Sequence, residues 1–217
     1  MRPNAYACSL LIIGLATGSG AQACSVPGSY RVPTTLHLVE QADAIVLARV
    51  VDGGPIGYPP AARLGIRSAR LVPFAAIKGE YAGHQIIFDD AAIEDVPAGL
   101  KVAPSDPRNL VDANADAFSG FCNRVAFRQG MIIVAFLKKD KGNLVSFAPA
   151  FSRALEDVPS PDALWVKAVR LYVKIADVPK SRRMKEMRYR RDLLNLEIDD
   201  PDSRLLALEL DRAIREP

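Results

Sequence analysis

The apolar residues of this 217-residue chain follow two patterns, with the change near Pro159. Before that point they form short β-rich runs, which predict five strands over residues 44–51, 68–77, 85–88, 131–137 and 144–148. A charged turn ending in Gly142-Asn143 predicts a hairpin between the last two strands. One short helix is expected before the first strand, over 34–42. Five short strands with long connections are typical of a small closed barrel.

After Pro159 the apolar positions recur every three or four residues, which is the spacing of an amphipathic helix. Ser160-Pro161-Asp162 is typical of a helix start, and the stretch up to Ala176 continues the pattern. Further helices are predicted over about 181–197 and from Asp200 to Ile214. The chain is therefore divided into residues 1–23, a barrel over 24–157 and a helical extension over 158–217. Whether the helices pack against the barrel is left open.

The first 23 residues have the pattern of a cleavable signal peptide: Arg2, an apolar run over 7–16, and Ala21-Gln22-Ala23. The run of about ten residues is too short to span a bilayer. Cleavage after Ala23 predicts a secreted or periplasmic chain that begins at Cys24. The alternatives are a buried N-terminal helix and a lipid anchor on Cys24. The remaining chain has no apolar run of membrane-spanning length.

Composition and motifs predict a binding protein rather than an enzyme. The formal net charge is +3, and both signs are mixed along the chain, so nucleic-acid binding is not expected. The sequence has no G-x-S-x-G nucleophile elbow and no phosphate-binding GxxxxGK[ST] loop. We therefore expect no catalytic residues, no cofactor and no bound metal.

The cysteines give a specific prediction. Of the three, Cys8 would leave with the signal peptide, so Cys24 and Cys122 remain. Two cysteines in an oxidising compartment allow one intramolecular disulfide, and two free thiols are the alternative. Two cysteines are too few to hold a structural zinc.

Two charged clusters and two histidines are candidate sites. The acidic cluster Asp89, Asp90, Glu94 and Asp95 could bind calcium, but it lacks regular ligand spacing and favours a solvated loop. His37 and His84 are not spaced as metal ligands. A basic run over residues 180–191 could contact anionic lipid or an acidic partner, although a solvated helix face is the preferred interpretation.

The order of several short motifs resembles the tissue inhibitors of metalloproteinases and, more broadly, the netrin-like domains. Cys24-Ser25-Val26-Pro27 precedes the Ala42-to-Val51 strand, and Ile77-Lys78-Gly79, Phe121-Cys122 and the strand from Gly130 to Leu137 follow in order. The resemblance covers about residues 24–157 and implies an OB-fold, a five-stranded Greek-key barrel. Two of the family's three disulfides are missing. Where the family has the cysteines of those disulfides, this chain has Val26 and the segments 36–41 and 148–151, which contain no cysteine.

By this resemblance, Cys24 and Cys122 pair and tie the mature N-terminus to the loop before the fourth strand. It also implies an inhibitory contact through Cys24 and Ser25, in which the free amino group and carbonyl of Cys24 chelate a catalytic zinc. The alternative role for Cys24 is to close the barrel. The preferred prediction is an exported, disulfide-tied binding protein whose partner is an envelope component or a metalloprotease, with protease inhibition as the second hypothesis.

Overall fold

A computed structural model describes residues 24–55, 67–81, 86–93 and 102–216. The predicted signal peptide and residues 56–66, 82–85, 94–101 and 217 lie outside these ranges. Within the part of the chain that the structure describes, every helix is too short or too polar to cross a lipid bilayer.

The described residues form one curled, mixed β-sheet of seven strands: β1 (Ala44–Pro55), β2 (Arg67–Lys78), β3 (Ile86–Ile93), β4 (Ala126–Phe127), β5 (Ile132–Asp140), β6 (Asn143–Ser146) and β7 (Leu155–Val158). Their order is β4-β3-β2-β1-β5-β6, and β7 pairs with β5. All pairs are antiparallel except β3 with β4. β3 and β6 lie on opposite sides of β1 in this order, yet they contact each other. The sheet is therefore curled into a half-barrel.

The five predicted strands are all present, and β4 and β7 were not predicted. β4 has only two residues, and β7 carries two acidic residues at its centre. Neither segment shows the alternation that reveals a longer strand. The predicted excursion over 89–121 is also shorter than expected, because residues 89–93 belong to β3 and several side chains of 102–118 are buried.

The central strand β1 is buried on both faces because its alternate residues serve two hydrophobic clusters. Ile45 and Leu47 pack in the cluster that also contains the helices. Val46 and Val50 pack in a second cluster, inside the curl of the sheet. This burial explains why the sequence of β1 is a nearly continuous apolar run.

Four α-helices cover one face of the sheet: α1 (Thr35–Gln41), α2 (Leu164–Ala176), α3 (Lys180–Leu196) and α4 (Pro201–Arg215). The Thr34 hydroxyl caps α1, and the Asp200 carboxylate caps α4. Trp165 and Tyr172 of α2 pack in the same cluster as Ile45 of β1. The C-terminal helices therefore share a core with the sheet, which answers the question that the sequence left open.

Candidate interaction surface at the disulfide

The N-terminal end of the described chain is fixed to the loop before β4. Cys24 and Cys122 lie at disulfide distance, with their Cα atoms 5.6 Å apart. The Cys24 amide donates a hydrogen bond to the Gly120 carbonyl oxygen at 2.6 Å. Cys24 and Ser25 are exposed, whereas Cys122 is buried. The two residues predicted to make an inhibitory contact therefore lie at the surface beside the disulfide.

The loop that carries Cys122 has an unusual backbone conformation. Cys122 has a φ angle of 60°, and Phe151 in the segment it contacts has a φ angle of 57°. These left-handed conformations are uncommon outside glycine. The Phe151 amide donates a hydrogen bond to the Cys122 carbonyl oxygen at 2.6 Å. This bond connects the loop at Cys122 to the segment at Phe151. The ring of Phe118 stacks on that of Phe151, with centroids 5.3 Å apart.

Four exposed apolar side chains lie on the N-terminal segment and on the loops next to the disulfide. Their exposed fractions are 49% for Val32, 53% for Val111, 60% for Phe118 and 64% for Phe121; we call these four residues the apolar rim. Three of them, Val32, Val111 and Phe118, line a groove of about 800 Å³ together with Phe151. Single exposed apolar residues are ordinary, whereas a group of them around a groove is a candidate interaction surface.

An ion pair between a buried arginine and a partly buried aspartate fixes the loop over residues 102–118 to β7. The Arg124 guanidinium pairs with the Asp157 carboxylate, and both groups bond to Ser105, which donates its amide to Asp157 at 2.8 Å. Burial acts to raise the pKa of Asp157, but Arg124 and Ser105 outweigh it and hold that pKa below its ordinary value. The two charges of the pair therefore compensate each other. Together with Ser105, the pair holds the loop over residues 102–118 against β7.

A second buried arginine connects the same loop to the helices. The Arg153 guanidinium lies 4.3 Å from the ring centre of Trp165, bonds to the Asn109 carbonyl, and has Glu156 at 3.7 Å. Burial lowers the pKa of Arg153, and Glu156 acts in the opposite direction. The Arg153 guanidinium thus contacts the loop over residues 102–118, β7 and α2.

Among the described residues, His37 is the one other candidate group of the sequence that lines the groove. His37 is exposed and bonds to Gln41. His84, Glu94 and Asp95 lie outside the described residues, as do the side chains of Asp89 and Asp90. Among the residues that the structure describes, no group of three or more potential ligands could hold a metal ion. The preferred interpretation of the acidic cluster, a solvated loop, therefore stays a prediction.

The basic run lies on α3 and divides into two sets. Arg183 pairs with Glu40 of α1 and donates to the Ala176 and Val178 carbonyls at the end of α2. Arg190 and Arg191 are also paired with carboxylates. Arg182, Lys185 and Arg188 are exposed and have no ion pair among the described residues. Part of the run is therefore structural.

Sequence reasoning assigned no binding role to Phe118 or Phe121 and no structural role to the buried arginines. Two aromatic residues beside Cys122 in a loop otherwise rich in polar residues were a usable signal for the rim. Arg153, Glu156 and Asp157 lie in or next to β7, and the pairing of Asp157 with Arg124 across the fold leaves no local sequence pattern. Comparisons with protein-family models, with curated proteins and with solved structures gave no significant match for this chain.

Proposed function

We propose that this chain is exported and acts by binding a partner protein through the apolar rim beside the Cys24–Cys122 disulfide. The observation that carries the proposal is the exposure of Phe118 and Phe121, which are 60% and 64% accessible on a loop anchored at Cys122. Aromatic residues are enriched at protein interfaces, and a rigid loop loses little conformational entropy on binding. An envelope component or a metalloprotease is the proposed class of partner.

The proposed scaffold is an OB-fold-like barrel with a helical extension. The curled sheet and the position of the disulfide between the N-terminal segment and the loop before β4 support this assignment. In such a barrel, loops at one end of the sheet are free to carry a binding surface while the core stays packed.

Photo-crosslinking in the living host cell tests the proposal. A benzophenone amino acid placed at Phe118 or at Phe121 is expected to give the same discrete adduct with one partner protein. The same crosslinker at Phe74 is the matched control, because Phe74 is 43% exposed but lies on β2, outside the rim. The partner, identified by mass spectrometry and purified, should bind Phe121→Ser at least tenfold more weakly than the unmodified chain, a loss of about 1.4 kcal/mol or more. Equal adducts at all three positions, or none, would contradict the proposal.

A second function is favoured by one specific feature of the same region. Cys24 and Ser25 are exposed while Cys24 is held by both the disulfide and Gly120. If the mature chain begins at Cys24, its amino group and carbonyl are presented rigidly and could chelate the zinc of a metalloprotease. Inhibition of a metalloprotease is therefore the alternative proposal.

The length of the N-terminus separates this alternative from simple protein binding. Chains beginning at Cys24 and chains with one added alanine before Cys24 would be titrated against a panel of zinc proteases. Chelation predicts inhibition by the first and at least a hundredfold weaker inhibition by the second, about 2.7 kcal/mol or more, because the added residue removes the chelating amino group. Equal inhibition by both, or none by either, would rule chelation out.

A further inference from the structure

The positive charge of the chain is concentrated on helix α3. The helix holds seven arginines and lysines but only two carboxylates, a net charge of +5, whereas the whole chain has a formal net charge of +3. Both carboxylates pair with arginines of the same helix. Arg182, Lys185 and Arg188 are exposed and have no ion pair in the part of the chain that the structure describes. We call these three residues the unpaired cations of α3.

The position of the unpaired cations opposes the stability of the helix. Carboxylates near the N-terminus of a helix and cations near its C-terminus are stabilising, but α3 has no acidic residue in its first turn and no basic residue in its last turn. The unpaired cations also follow one another at a spacing of three residues, which places like charges next to each other. Their placement is therefore better explained by a negative charge outside the chain than by folding.

Exposed apolar side chains continue the same side of the helix. Arg182, Lys185, Tyr189 and Leu196 are separated by three, four and seven residues, so they project from one side of α3. Tyr189 is 55% exposed and Leu196 is 77% exposed, and Leu193 is exposed beside them. Arginine and lysine together with tyrosine and leucine are typical of a helix that lies on a membrane surface.

The shape of this surface favours a bilayer over a folded acidic protein. A helix side is convex, and the unpaired cations lie at the ends of long side chains that can each reach a separate headgroup. Phospholipid headgroups move laterally to meet such cations, whereas a protein partner needs a complementary groove. The carboxylates of Glu197 and Asp200, which follow α3, accept hydrogen bonds from Ser203 at the start of α4.

We propose that α3 docks the chain on the surface of a bilayer that contains anionic phospholipid, with the helix lying along the membrane plane. The unpaired cations contact the headgroup phosphates, and Tyr189 and Leu196 enter the boundary between headgroups and acyl chains. The helix lies on the bilayer and does not cross it, because its 17 residues are mostly polar. This surface contains none of the residues of the apolar rim, so the proposal does not depend on a protein partner.

Cosedimentation with unilamellar vesicles tests the proposal on the disulfide-bonded chain from Cys24 to Pro217. Vesicles of phosphatidylglycerol and phosphatidylcholine, in a ratio of about one to two, should bind the chain at least thirtyfold more tightly than vesicles of phosphatidylcholine alone. Raising the salt concentration from about 0.05 M to about 0.5 M should weaken this binding at least tenfold, because salt screens exposed charges.

Neutralising the unpaired cations connects this binding to α3. The variant with Arg182→Gln, Lys185→Gln and Arg188→Gln should bind anionic vesicles at least thirtyfold more weakly, since each cation near the surface contributes about fivefold. The matched control removes the same charge from exposed sites outside α3 through Arg108→Gln, Lys139→Gln and Lys141→Gln. The control should bind within about twofold of the unmodified chain. Circular dichroism checks that both variants keep their helical content.

Entry of the apolar residues into the bilayer has its own readout. Trp165 is buried, so a change in the fluorescence of Tyr189→Trp on addition of vesicles reports the environment of residue 189. Anionic vesicles should shift its emission to shorter wavelength, and brominated lipid should quench it. Leu196→Ser should weaken vesicle binding at least threefold, because apolar area is lost from the interface. Phe121→Ser, which changes an exposed residue of the apolar rim, is the control and should leave vesicle binding unchanged.

Several outcomes would overturn the proposal: no binding to anionic vesicles, equal binding to neutral vesicles, or unchanged binding when the three unpaired cations are neutralised. An equal loss in the control with Arg108, Lys139 and Lys141 replaced would also overturn it. Binding to polyglutamate without binding to vesicles would replace the bilayer with an acidic protein partner. Its failure is distinguishable from failure of the proposed function, which is decided by crosslinking at the apolar rim.

Discussion

Replacing Cys24 with serine is expected to lower the free energy of unfolding by about 4–5 kcal/mol. The two cysteines are 98 residues apart in sequence, so the cross-link excludes many conformations of the unfolded chain. Cys24 is exposed, and a serine there has room to remain. Most of the expected loss therefore comes from the missing cross-link rather than from disturbed packing.

Urea denaturation followed by circular dichroism measures this effect. Cys24→Ser and the double variant with Cys122→Ser should lose similar amounts of stability. Reduction of the unmodified chain should reproduce the loss, and the same reductant should leave Cys24→Ser unchanged. A difference of less than 1 kcal/mol between the oxidised chain and Cys24→Ser would mean that the disulfide does not constrain the fold.

Replacing Asp157 with asparagine is expected to destabilise the chain by about 3–5 kcal/mol at pH 7. The change leaves the buried Arg124 guanidinium without its counter-charge and weakens the bond from the Ser105 amide. Because this network fastens the loop over 102–118 to β7, the amides of the loop should also lose protection against hydrogen exchange. Amide hydrogen exchange at Ser105 and Asn114 measures that local effect.

The pH dependence of this variant follows from the lowered pKa of Asp157. In the unfolded chain an aspartate titrates near pH 3.9, and in the folded chain at a lower pH. The ionised pair therefore stabilises the unmodified chain fully above about pH 4, and this contribution is lost as the pH falls through the folded pKa. Asp157→Asn lacks the contribution at every pH, so the stability difference between the two chains should shrink on acidification.

Denaturation of both chains at pH 7, pH 5 and pH 3 checks the sign of this effect. The difference should be nearly constant between pH 7 and pH 5 and smaller at pH 3. Asp140→Asn, which removes an exposed carboxylate, is the control and should change stability by less than about 0.5 kcal/mol. A difference for Asp157→Asn that grows on acidification would contradict the assigned role of the pair.

The parts of the fold that the sequence predicts are those whose signals are local. β1 and β5 are apolar runs because both their faces are buried, and α2 shows a helical period because one face packs on the sheet. β7 was missed because Glu156 and Asp157 face buried partners far along the chain. The first C-terminal helix begins at Leu164 rather than near Ser160, since Ser160 and Asp162 form a turn before it.

The disulfide is the part of the candidate site that the sequence predicts. With two cysteines left after the predicted cleavage, a single pairing was possible, and the structure places that pair at disulfide distance. The rim could not be deduced in the same way, because it brings together Val32, Val111 and Phe118 from separate segments.

We propose that Cys24 is both the first residue of an exported chain and one half of the disulfide that holds the binding surface. Intact-mass and peptide-mapping mass spectrometry of the protein recovered from outside the cytoplasm tests it most directly. We expect a chain that starts at Cys24, carries no lipid, and yields a linked Cys24–Cys122 peptide pair that separates on reduction. A chain that retains residues 1–23, or two cysteines that both react with a thiol reagent without prior reduction, would contradict it.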